Sequence, residues 1–150
     1  MPNLQSIHAE PAGATYLALL AFAEGHSATF SLVWRKQLAF GASAETVRTD
    51  LEPFLDAKRE SDAWPGTKLL GQTAIVRSYR TCPDSVRILA TAERLYAWKA
   101  PERPEDLAFY TSAGRCWFGS IAHERDSFVD VDVVDVVRLA AAVTGLRLEK

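Results

Sequence analysis

The sequence predicts one α+β domain, a largely antiparallel sheet with hairpins and three to four helices. Three observations carry that prediction. Stretches of period-2 apolar alternation interleave with stretches of helical spacing. A short glycine-containing loop separates two aromatic runs, which implies antiparallel pairing. No glycine-rich phosphate loop stands at any strand–helix junction, which argues against a doubly wound parallel sheet. Composition agrees, because 150 residues that are 48% hydrophobic and 24% charged can bury one sizeable core and are too apolar for disorder.

Residues 14–24 place Tyr16, Leu19, Leu20 and Ala23 on one helix face, and Gly25 is the expected stop. Thr29 to Trp34 alternates, with Phe30, Leu32 and Trp34 on one side, so a strand is expected there. The pair Arg35–Lys36 is expected to turn that strand into a hairpin returning through Leu38–Phe40. Ser43 offers a helix N-cap with Glu45 in the first turn, and Val47, Leu51, Phe54 and Leu55 form the apolar stripe. Pro53 interrupts that stripe and should kink the helix or start a fresh one.

Trp64–Pro65–Gly66 closes that segment, and residues 67–81 read as an irregular strand holding Leu69, Ile75, Val76 and Tyr79. Pro83–Asp84 opens a short helix with Val86, Leu89 and Ala90 on one face. Leu95 to Trp98 reads as a short strand, followed by an extended proline-bearing loop. Residues 107–111 and 115–123 flank Ser112–Ala113–Gly114, where Gly114 can take the left-handed conformation that closes a hairpin. Residues 128–131 can be extended, and a helix is expected from about Asp132. Phe30, Leu32, Trp34, Leu51, Phe54, Ile75, Leu89, Phe109, Phe118 and Ile121 form the expected core.

Charge and cysteine content narrow the function classes. With 17 Lys+Arg against 19 Asp+Glu, the net charge of −2 lacks the footprint of a general nucleic-acid binder. The two cysteines, Cys82 and Cys116, do not form a disulfide framework. Neither a basic leader followed by an apolar run nor an apolar stretch of membrane-spanning length stands out, so a cytoplasmic protein without membrane attachment is expected.

Candidate chemistry is sparse. His123–Glu124 would need a second histidine at position 127 for a zincin motif, and Ser127 stands there. Asp130, Asp132 and Asp135 could suit a hard cation, but the calcium-loop spacing and its glycine are missing, so no metal site is expected. Cys116 reads as a core residue, whereas Cys82 sits at a helix start that can stabilise a thiolate. Ser120 lacks the glycine pattern of a nucleophile elbow. These residues identify neither a catalytic constellation nor a cofactor.

Two readings follow. In the first, the chain is a non-enzymatic protein-binding module. Its expected surface combines the acidic residues Glu124, Asp126, Asp130, Asp132 and Asp135 with the aromatics Trp98 and Tyr110, since acidic patches steer basic partners and aromatics anchor interfaces. In the second, a small enzyme or ligand-binding domain uses His123, Glu124 and nearby carboxylates around a pocket by the C-terminal hairpin. The block from Trp98 to Glu124 is the most distinctive part of the chain: a Pro-Glu-Asp entry, an aromatic strand, a glycine turn, a Trp-bearing strand and a closing Ile-Ala-His-Glu. In this block and its overall pattern the chain resembles small bacterial α+β immunity proteins of polymorphic or contact-delivered toxins. That resemblance implies a cytoplasmic protein that binds one cognate toxin domain and blocks its active site, with no catalytic residues of its own.

Overall fold

Strands and helices alternate along residues 2–149, which the computed structural model describes. In chain order they are β1 (Leu4–His8), α1 (Ala14–His26), β2 (Thr29–Arg35), α2 (Ala42–Leu51), β3 (Leu55–Ser61), β4 (Ala63–Trp64), β5 (Thr67–Lys68), β6 (Ala74–Arg80), α3 (Pro83–Ala90), β7 (Glu105–Tyr110), β8 (Cys116–Ile121), β9 (Asp126–Asp130), α4 (Val136–Ala142) and β10 (Arg147–Leu148). Eight strands share one antiparallel sheet in the order β10-β1-β9-β8-β7-β2-β6-β3, and β4 and β5 form a separate small hairpin. The architecture is α+β, as the alternation and the glycine hairpin predict.

The sheet buries both faces unequally. On one face Phe30, Leu32, Tyr79, Phe109, Phe118 and Val129 meet Tyr16, Leu19 and Leu20 of α1, Leu89 of α3 and Leu139 of α4 in the main core. On the other face a smaller cluster of Val33, Trp64, Leu69, Ala74 and Val76 is covered by the β4–β5 arm. Because β2 lies inside the sheet between β7 and β6, its two faces feed the two clusters. Helix α1 ends on a local device, with His26 hydrogen-bonded to the Phe22 carbonyl and stacked on its ring at 3.9 Å.

Several local expectations hold. Gly114 takes φ 79° in the β7–β8 hairpin, and Pro53 sits in a fresh 3-10 turn, Glu52–Phe54, after α2. Others are corrected by long-range contacts. Residues 36–41 do not return as a strand, because the neighbours of β2 are β6 and β7, both distant in sequence. Leu95–Ala97 is a 3-10 turn rather than a strand, with the Tyr96 hydroxyl 3.0 Å from Ser127 Oγ. Helix α1 passes through Gly25 and stops at Ser27. The cap of α2 is Gly41, and Ser43 instead donates to the Glu102 carbonyl at 3.0 Å. Helix α4 starts at Val136, since Asp135 accepts from the Val137 and Arg138 amides and so sets the first turn. Strand β3 was hidden by its polarity: it is a sheet edge, exposed along most of its length, and its charges protect that edge from further pairing. Trp34, Ile75 and Ile121 stay outside the main core, and Phe54 is only partly buried against it.

Candidate functional site

The polar centre of the molecule begins as a defect in a strand. Pairing between β2 and β7 slips between Ser31 and Val33, and Asp106 takes φ 58° opposite the slip. Aspartate tolerates this left-handed conformation better than most residues, and a bulge re-aims the side chains beside it. Two consecutive carboxylates, Glu105 and Asp106, are thereby buried, at 0% and 3% exposure.

Each carboxylate holds a different part of the chain. Asp106 Oδ2 accepts the indole N–H of Trp64 at 2.9 Å and Oδ1 accepts the Ala122 amide at 3.0 Å. It therefore ties the β4–β5 arm and the β8–β9 connection to β7. Glu105 Oε2 accepts the Ala100 amide at 2.7 Å. Its other oxygen lies 2.7 Å from His123 Nε2, a close contact that does not meet hydrogen-bond geometry. Burial raises the pKa of both carboxyls above the usual range. For Glu105 the Ala100 amide and His123 oppose that rise, while the Asp106 charge adds to it. For Asp106 the Trp64 and Ala122 donors oppose it. Arg35 faces the same region, with its guanidinium 5.9 Å from the centre of the Trp64 ring.

The expected site residues do not gather on one surface. Glu124 and Asp132 are exposed, and Asp126 is half-buried. Asp130 is turned inward, with Oδ1 accepting the Asp132 amide at 3.0 Å. Asp135 is exposed, but its carboxylate caps α4. Trp98 is fully buried and donates its indole N–H to the Tyr16 hydroxyl at 2.9 Å, so its ring has no surface to offer a partner. Tyr110 is half-buried, its hydroxyl 3.0 Å from Ser31 Oγ.

His123 is 43% exposed at its side chain and has a buried acid beside it, as the enzyme reading asks. Cavities of about 190, 410, 640 and 730 Å³ are among those that indent the surface of the described residues, and His123 lines none of these. Among the described residues no group of three or more His, Cys, Asp or Glu side chains is placed to hold a metal ion. Sequence reasoning passed over Glu105 and Asp106. Their signal was an acidic doublet abutting the apolar run Leu107–Tyr110, a place where charge must either end the strand or be buried with partners.

No protein-family model, curated protein or solved structure matches this chain. Among the described residues no helix is long and apolar enough to cross a membrane.

Proposed function

We propose that this chain is a non-enzymatic protein-binding module, an immunity protein that binds and neutralises a cognate bacterial toxin. The observation that carries the reading is the use made of its best-placed acids. Three of the four oxygens of Glu105 and Asp106 accept N–H groups of the chain itself, and the fourth lies against His123. At 0% and 3% exposure, a cluster so occupied holds an arm and two loops in place and does not present its carboxylates to a substrate in solvent. The chemistry available to a partner is then on the surface, where Glu124 and Asp132 remain exposed and unburdened by caps. Acidic groups of this kind favour a basic partner such as a nuclease domain and speed its encounter.

Affinity purification of the tagged chain from its own organism, followed by reconstitution with the purified partner, tests the reading. One stoichiometric protein partner whose toxicity is lost in the complex is expected. Glu124→Lys and Asp132→Lys should slow association, with a defect that shrinks as salt rises, and should shift folding by less than about 0.5 kcal/mol. A reconstituted pair whose association rate ignores both reversals would remove the electrostatic part of the proposal, and failure to capture any partner would remove the whole. A second reading, a small enzyme or ligand-binding domain using His123, Glu124 and nearby carboxylates, is favoured only by the 2.7 Å approach of His123 to Glu105.

A further inference from the structure

The outer face of the sheet, opposite the helices, carries a cavity of about 410 Å³ between the β4–β5 arm and the strands β1, β8 and β9. Its shape starts from Gly119. A Cβ there would stand 2.5 Å from the Phe128 ring and 3.2 Å from Pro65, so only glycine lets the ring lie over β8 with the arm beside it. Gly66, at the tip of the arm, is equally constrained: its φ is 85°, and a Cβ would come within 2.8 Å of Ile121. Pro65, Gly66, Phe128 and Leu4 supply the apolar lining. Leu4 keeps 51% of its surface while Phe128 keeps 6%, so the apolar lining runs from an exposed residue to a buried one.

Two charged residues line the cavity, Asp130 within it and Arg115 exposed at its rim. Leu4 pairs with Asp130 across β1 and β9, and Asp130 lines the same cavity with 6% of its surface exposed. One of its oxygens accepts the Asp132 amide, and among the described residues no lysine, arginine or histidine makes an ion pair with it. A carboxylate can accept about four hydrogen bonds, and a buried one is stabilised by a cation far more than by a single amide. Cys116, the remaining interior group, does not compete as an anion: burial pushes its thiol pKa up to about 12, and its Sγ–H donates to the Phe118 carbonyl at 3.2 Å. The lining offers too few oxygens for a hard metal ion, which takes six or more.

We propose that the cavity receives a lysine or arginine side chain of the protein partner, its aliphatic stem along Leu4, Pro65 and Phe128 and its charged head on the Asp130 carboxylate. This rests on the partner-binding reading above. Arg115, exposed at the rim, is the one cation in the lining, and its solvent exposure screens it from a charged head seated on Asp130. Arginine seated in a pocket is among the side chains enriched at interface anchors.

The test needs no partner. The full chain, labelled for amide NMR, is titrated with the N-acetyl N-methylamides of lysine, arginine and norleucine. Saturable shifts at Leu4, Cys116, Phe128 and Asp130 are expected from the two cationic probes, with norleucine weaker by about tenfold or more. Asp130→Asn keeps an oxygen for the Asp132 amide and should abolish the preference for cations, while Leu4→Trp should block the mouth to all three probes. Absence of saturable shifts, equal binding of norleucine, or an unchanged preference in Asp130→Asn overturns the proposal. The two readings fail separately. A partner complex indifferent to Asp130→Asn and Leu4→Trp would sink the cavity proposal and leave partner binding standing. Probe binding without any capturable partner would leave a cavity that takes cationic side chains and sink the partner assignment.

Discussion

Trp64 and Asp106, 42 residues apart, meet through a buried 2.9 Å hydrogen bond from the indole N–H to Oδ2. The same carboxylate also receives the Ala122 amide, so one side chain joins the β4–β5 arm, the bulged strand β7 and the β8–β9 connection. The arm in turn covers the second apolar cluster and walls the outer cavity.

Removing that carboxylate should be costly. Asp106→Ala leaves two buried donors without partners, at about 1–3 kcal/mol each, and puts a Cβ-bearing residue with no local bond in a left-handed conformation. A loss of about 3 kcal/mol or more in urea denaturation is expected. Asp106→Asn keeps one acceptor and a residue suited to positive φ, and should lose about 1–2 kcal/mol. Equal losses for the two variants would show that the hydrogen bonds do not anchor the arm.

Glu105 makes stability depend on pH in an unusual direction for a carboxylate. Its folded pKa is raised above the ordinary value of 4.5, chiefly by burial, so across the window between the two values the folded state binds more protons than the unfolded state. Its contribution is complete below the ordinary value and is lost as pH rises through the folded one. Comparison of wild type with Glu105→Gln, whose amide oxygen can still accept from Ala100, should show the variant gaining relative stability as pH rises from about 4 toward 8. A stability difference independent of pH, or one moving the other way, contradicts the burial argument.

The two thiols should react in a fixed order. At Cys82 burial pushes the pKa up, but the Ser85 hydroxyl and the Ser85 and Asp84 amides at the start of α3 outweigh it and hold the thiol below its ordinary value. At Cys116 burial dominates and the pKa rises to about 12. Iodoacetamide near neutral pH, followed by peptide mass mapping, should modify Cys82 well before Cys116, because the thiolate is the nucleophile. Alkylation of Cys116 first would contradict this order of thiol acidity.

Phe118 and Phe54 separate true core from its margin. Phe118 is fully buried among Phe109 and Trp117, so Phe118→Ala should cost about 3–5 kcal/mol. Phe54 is only partly buried against the same core, and Phe54→Ala should cost about 1–2 kcal/mol. Chemical denaturation of both variants checks the order, and a larger loss at Phe54 would place the core boundary wrongly.

The acidic run shows why sequence proximity is a poor guide to a surface. Between Glu124 and Asp135 the chain passes a left-handed residue at Arg125, a buried strand and a helix cap. One carboxylate is thereby turned inward, another is engaged with amides, and Glu124 and Asp132 are left exposed. Reversal at Asp130 is therefore no test of a solvated surface, since its side chain is buried.

By itself the sequence determined the α+β class, helices α1 and α3, the break at Pro53 and the β7–β8 hairpin through Gly114. Their causes act within a few residues: helical spacing, a proline ring, a glycine at positive φ. Tertiary structure alone decided the rest. Strands β1 and β10 have little local pattern and exist because they pair with β9 and with each other, bringing the two ends of the chain into one sheet. The edge strand β3 is polar because it shields an edge, so its periodicity carried no signal. Asp106 meets Trp64, Glu105 meets His123 and Asp130 lines a cavity with Pro65 because a bulge, a glycine and a folded-over arm bring distant segments together. Such contacts depend on which strands become neighbours, and that choice is made by burial of the whole core rather than by any local run of residues.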